Sequence, residues 1–164
     1  SYTLTFPTTD GNADEFLQTN GSGTLTWATA GGGKVLQVVA GTDNTQRSAS
    51  SSNYSHGNST AIATLTPSAT SSKILVLAST CVGKAGGSAG FSIFRDNSTN
   101  LATNQMLWHD MSANTGGANF SFSVLDSPST TSEINYRIKW ANSQTTYIGY
   151  NNSMTSVIAI EIGA

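Results

Sequence analysis

The chain has 164 residues, only 10% of them charged and 37% hydrophobic, with a net charge of -2. The balance is made up by 24 Ser, 23 Thr, 16 Gly and 14 Asn, small uncharged polar residues rather than the charge-rich composition of a disordered chain. Seven scattered Lys and Arg form no basic stripe for nucleic acid, and no apolar run nears the ~20 residues that insertion into a membrane as a helix would need.

In chain order, short stretches of Val, Ile, Thr and aromatics recur between Gly, Asn, Ser and Pro clusters, the pattern of an all-β protein. Strands are predicted at Tyr2 to Phe6, Thr24 to Trp27, Val35 to Val39, Thr60 to Leu65, Ile74 to Val82, Phe91 to Arg95, Phe120 to Leu125, Asn135 to Trp140, Thr146 to Tyr150 and Ser156 to Ile162. Leu17 with Thr19 and Leu25 with Trp27 flank Asn20-Gly21-Ser22-Gly23 as the arms of a hairpin. Alternation assigns faces. Tyr136, Ile138 and Trp140 are expected inside with Arg137 and Lys139 outside, Phe120, Phe122 and Val124 share a face, and Ile158, Ile160 and Ile162 are expected opposite Glu161. Such regular strands imply an antiparallel β-sandwich or barrel.

Gly31-Gly32-Gly33 divides the chain unequally. Residues 1–30 read as a short β neck, 31–33 as a glycine linker and 34–164 as the main β domain. A segment of ~30 residues cannot bury a core alone, so Phe6, Phe16, Leu17, Leu25 and Trp27 are expected to be covered by the rest of the chain or by other copies, as oligomerisation residues. The chain opens directly on a predicted strand, which suggests a piece of something longer.

The chemistry-bearing motifs are sparse. Gly86-Gly87-Ser88-Ala89-Gly90 matches the G-x-S-x-G nucleophile pattern, but that elbow needs a helix after it, and Phe91 to Arg95 alternates like a strand. Asp10 to Glu15 alternates oxygen ligands, yet Glu15 stands where a calcium loop needs glycine and Gly21 where it needs glutamate. Cys81, the single cysteine, allows no internal disulfide, and its strand setting reads as a small buried hydrophobe. No catalytic constellation, metal site or cofactor is expected.

Leu4 to Trp27, with Pro7-Thr8-Thr9-Asp10-Gly11, Asn20-Gly21-Ser22-Gly23 and Leu25-Thr26-Trp27 in order and spacing, resembles a segment common in tail-fibre-like and other virion proteins of bacteriophages, especially marine ones. Asn20 stands where that family usually has Asp, keeping the turn and removing a charge. Val35 to Val39 and Leu65 to Val76 look like the start of the terminal domain that follows the segment in the same proteins. The resemblance implies a neck and a jelly-roll head of the tumour-necrosis-factor-like kind, assembled as a homotrimer on the particle surface with other virion proteins as partners.

Aromatics in polar, loop-like settings are the candidates for ligand contact. Tyr54 and His56, Trp108 and His109, and Tyr147 with Tyr150 around Gly149 combine ring faces with hydrogen-bonding neighbours, as a sugar-binding surface requires. The expected function is therefore non-enzymatic: the distal part of a phage tail fibre or spike, attaching to a host-surface glycan or protein through loops of the head. A capsid decoration or head-fibre protein, or a secreted carbohydrate-binding module, would share the same scaffold.

Overall fold

The computed structural model of the chain describes residues 2–29, 35–51, 57–84, 88–102, 106–110 and 116–163. It divides into two compact units, Ser1–Gly33 and Lys34–Ala164. The three consecutive glycines of the expected linker lie outside the described residues.

In the first unit, β1 (Glu15–Thr19) and β2 (Leu25–Thr29) form an antiparallel hairpin with Leu17 opposite Trp27 and Thr19 opposite Leu25, the arms read from the sequence. Asn20 makes the turn: its side-chain oxygen accepts from the amides of Ser22 (2.8 Å) and Thr24 (3.2 Å), while Gly21 and Gly23 take positive φ of 80° and 88°. The strand expected at Tyr2 to Phe6 is reduced to a single bridge, Thr5 to Thr24, with Thr5 N–H on Gly23 O at 2.7 Å and Leu25 N–H on Thr5 O at 2.8 Å. Pro7, lacking an amide hydrogen, cannot extend it.

Among its described residues the second unit contains ten strands: β3 (Val35–Asp43), β4 (Arg47–Ser51), β5 (Gly57–Leu65), β6 (Lys73–Lys84), β7 (Ser88–Arg95), β8 (Thr99–Asn100), β9 (Leu107–Asp110), β10 (Ala118–Asp126), β11 (Ile134–Ile148) and β12 (Thr155–Ile162). All pairings between them are antiparallel. One layer runs β3-β12-β6-β10. The other places β5 and β4 on one side of β11 and β7 on its other side, with β9 and β8 beyond β7. This interleaving of early and late strands in two four-deep layers is the jelly-roll arrangement. The layers meet where Val82 and Gly83 of β6 pair with Ile148 and Tyr147 of β11. Gly41 brings β3 against β5, since a Cβ there would stand 2.1 Å from Ile62 O.

The two strands expected at Asn135 to Trp140 and Thr146 to Tyr150 are one 15-residue strand, β11. It shifts register against β5 between Arg137 and Lys139 and against β4 between Asn142 and Thr146. Bulges let one long strand bend past two shorter partners without breaking its ladder for good.

The core lies between the layers. From one side come Tyr136, Ile138 and Trp140 of β11 with Phe91 and Ile93 of β7; from the other, Ile74, Val76 and Ala78 of β6 with Val157 and Ala159 of β12. Phe120, Phe122 and Val124 pack against it from β10. The face expected for β12 is reversed. Val157, Ala159 and Glu161 point inward, while Ile158, Ile160 and Ile162 point out and stay half-buried. The bulky rings from β11 and β7 fill most of a gap of ~10 Å between the layers, which leaves room for Val and Ala but not for a row of isoleucines. Cys81 is also corrected: it lies on the outward side of β6 and is only half-buried.

Candidate functional site

Backbone pairing gathers several connections at one end of the jelly roll. Ala118 lies opposite Val82, Ser88 opposite Asp110, Tyr147 opposite Gly83, Ser51 opposite Asn142 and Gly57 opposite Trp140. The strand ends flanking the β4–β5, β6–β7, β9–β10 and β11–β12 connections therefore share one end. Val35, where the chain enters this unit, pairs with Ile162 at the other end.

At the connection-rich end the structure fixes the β11–β12 turn through backbone strain and side-chain clamps. Gly149, Asn151 and Asn152 have φ of 59°, 56° and 57°, the left-handed region that Gly and Asn tolerate best. Asn151 N–H donates to Gln46 Oε1 at 2.9 Å. Gly149 N–H reaches Thr80 Oγ1 at 3.2 Å, and Thr80 shares a 2.8 Å hydrogen bond with Thr155. Asn142 Nδ2 donates to Thr146 Oγ1, and Asn142 Oδ1 accepts from Gln144 N–H at 3.0 Å, closing the bulge of β11.

Tyr147 and Tyr150, two of the candidate contact residues, come together with ring centroids 6.1 Å apart and planes tilted by 51°. Tyr150 has a structural task. Its ring lies over Gly83 and Gly117, where added Cβ atoms would stand 2.0 Å and 2.9 Å from ring carbons. Aromatic cover over paired glycines supplies packing that the glycines lack. Trp108 and His109 lie in β9, opposite Gly90 and Ala89 of β7. Tyr54 and His56 are outside the described residues.

Beside this end, Asp43 organises the β3–β4 turn. It accepts from Thr45 N–H at 2.9 Å, from Arg47 Nε at 3.3 Å and from Thr60 Oγ1. Burial opposes its ionisation, but these donors outweigh it and hold the carboxyl at about 2.

Three further polar groups are buried where the sequence did not place them, Glu161 and Lys139 having been expected on outward faces. Glu161 is fully buried at the opposite end, accepting from Gln37 Nε2 at 2.6 Å, Ser68 N–H at 2.6 Å and Ser68 Oγ at 3.2 Å. Burial raises its carboxyl and the donors more than reverse that, leaving it below the usual carboxylate range. Asp126 takes both oxygens to Arg95 Nη1, at 2.9 and 2.7 Å, and accepts from Tyr136 OH at 2.8 Å. Burial and then that carboxylate push the Tyr136 phenol well above its ordinary value. Lys139, expected in solvent, is 5% exposed, donating to Asn97 O at 3.0 Å over the Phe94 ring; burial and the nearby Arg137 lower its pKa. The signal for each was a charged residue within an otherwise regular strand, which sequence alone reads as a solvated face.

Two motifs resolve locally. Ser88 of the G-x-S-x-G match opens strand β7 and not a helix. In Asp10 to Glu15 the Glu15 carboxylate turns back onto Asn12, accepting its N–H at 2.6 Å and Nδ2 at 3.1 Å, as a turn would. Among the described residues no group of three or more His, Cys, Asp or Glu is placed to hold a metal.

The five candidate oligomerisation residues do not form one surface. Leu17, Leu25 and Trp27 share a face of the hairpin by register, with Phe16 and Ala28 on the other. Trp27 is engaged within its own chain: Nε1–H donates to Thr9 O at 2.8 Å, and the indole lies flat against Gly11, where a Cβ would be 2.6 Å from the ring. Phe6, Phe16 and Leu17 are 61%, 46% and 38% exposed.

Strand order and core thus define an all-β chain with an antiparallel jelly roll. No family model and no curated protein matches it. Among solved structures it is similar to the VP2 protein of infectious bursal disease virus: in particles derived from a D431N mutant the identity is 15% and the TM-score 0.43, over 85% of this chain and 39% of that one. In a VP2 subviral particle the values are 14% and 0.45, over 85% and 35%. The chain therefore spans well under half the length of these proteins.

Proposed function

We propose that the chain is a non-enzymatic structural component of a virion surface, a fibre-like or spike-like homotrimer whose hairpin unit is a neck and whose jelly roll is a head for attachment to a host-surface glycan or protein. The observation that carries this reading is the exposure of Phe16 and Leu17 on a two-stranded hairpin and of Phe6 in the segment before it. Two strands alone are marginal in water, and copies of the hairpin brought together would cover those side chains. The bacteriophage resemblance of Leu4 to Trp27 supports the same assignment, as does the opening of Ser88 into a strand, which removes the one nucleophile motif. Attachment would use the connection-rich end, which lies away from Val35.

Light scattering on the full chain tests the assembly, with three copies expected; a monomer would overturn the neck reading. Attachment is read from binding to host cells and to a glycan array. Tyr147→Ala is expected to weaken it about tenfold, the ~1.4 kcal/mol of a lost ring contact, without changing the number of copies. No binding to either surface would remove attachment from the assignment.

A further inference from the structure

The outward face of β3-β12-β6-β10 is unusual for a surface open to water. Val38, Ile160, Leu75 and Leu125 stand opposite one another across all four strands. Val38 and Leu125 are more than half exposed, at 58% and 54%. Next to that row, Leu77 and Ile158 floor an open groove of about 390 Å³ rimmed by Ser79, Ser121 and Ser156. Among the described outward-facing residues of the four strands Lys73 alone is charged, and it sits at one end with Nζ donating to Ser127 Oγ at 3.2 Å. Leu77, beside the row, is 39% exposed as well, and a contiguous apolar patch of this kind marks an interaction surface.

We propose that this sheet face is buried against a second copy of the same chain. Charge argues for a copy. A face that is neutral between its ends meets its own duplicate without repulsion, whereas a partner selected by charge would find nothing to pair with. Four strands side by side, about 4.8 Å apart and each eight or more residues long, present a face on the scale of the ~800 Å² per partner of a stable interface. The inference rests on the proposed assembly only for the number of copies.

The test uses the full chain and two variants, Leu77→Ser with Ile158→Ser in the head, and Phe16→Ser with Leu17→Ser in the hairpin. Both head positions face outward, so circular dichroism and urea midpoints at low protein concentration should be close to those of the unchanged chain. Sedimentation equilibrium should show association weakened about a hundredfold by the head variant, from the loss of two covered side chains. Footprinting of the unchanged chain by hydroxyl radicals should show Leu77, Ile158 and Leu125 becoming protected as concentration rises, a readout that does not depend on a variant folding. If the unchanged chain associates, the head variant associates equally well and Leu125 stays open, the sheet face is not the interface. Dissociation by the hairpin variant alone would then leave the neck reading standing without this one. A monomeric unchanged chain overturns both.

Discussion

Glu161 shows how far one residue can depart from what its position suggests. A carboxylate that is fully buried and held by Gln37 and Ser68 draws the β5–β6 connection onto β12 without an ion pair, the described pairs being Asp43 with Arg47 and Arg95 with Asp126. Because folding lowers its pKa, the folded state binds fewer protons near the unfolded pKa. The stabilisation is complete above that value and is lost as pH falls through the folded one. Asp43, lowered from 3.8 to about 2, contributes with the same sign in that lower window. Urea titrations from pH 7 down to pH 2 should therefore show stability falling from about pH 5. In Glu161→Gln, an amide NH₂ would face the Gln37 and Ser68 donors, costing roughly 1–3 kcal/mol at neutral pH and flattening the acid limb. An acid limb as steep as that of the unchanged chain would show that Glu161 does not carry this linkage.

At the scale of elements, the β11–β12 turn and the ends of β6 and β10 behave as one packed unit through Tyr150. Gly83→Ala is expected to cost about 1–3 kcal/mol, because its Cβ would enter the ring and force Tyr150 off its seat. Tyr150→Ala alone uncovers the glycines. The two together should cost clearly less than their sum, since the clash exists only while the ring is present. Chemical denaturation of the four proteins measures this, and additive costs would mean that the ring and the glycine do not share a contact. This pairing was not readable from the chain, where Gly83 and Gly117 are 67 and 33 residues from Tyr150. The hairpin of the first unit was readable, because Asn20 and two glycines specify its turn locally. Face assignment separated the strands. In β11 large apolar and charged residues alternate, and Tyr136, Ile138 and Trp140 are inside as expected. In β12 apolar residues occupy both sides, so periodicity of two could not say which side faced the core.

For the whole molecule, the sheet face proposed to join copies has Lys73 as its one charge among the described outward-facing residues, so the contact it makes should respond little to salt. Between 0.05 and 1 M NaCl, roughly Debye lengths of 14 to 3 Å, the dissociation constant from sedimentation is expected to change less than about threefold. A rise of an order of magnitude or more with salt would point to ion pairs that the sheet face does not contain. The candidate site is less legible than the fold. Tyr147 and Tyr150 do meet, but Tyr150 is spent on packing its own glycines, and Trp27 on Thr9 and Gly11. An aromatic in a polar setting carries the same sequence signature whether it awaits a ligand or covers a backbone.

Composition and alternation by themselves determined that the chain is all-β, that few charges are available for catalysis or nucleic acid, and that a short hairpin precedes a larger sandwich. These are consequences of local turn chemistry and of side chains pointing to opposite sides of a strand, which need no knowledge of partners. Tertiary structure alone decided which side is inside. The rings of β7 and β11 fill the gap between the layers, and β12 turns Thr155, Val157, Ala159 and the pinned Glu161 inward. Its isoleucines then join Val38, Leu75 and Leu125 on the outside. That apolar outer face is a result of volume matching between strands far apart in sequence, a quantity no single strand encodes.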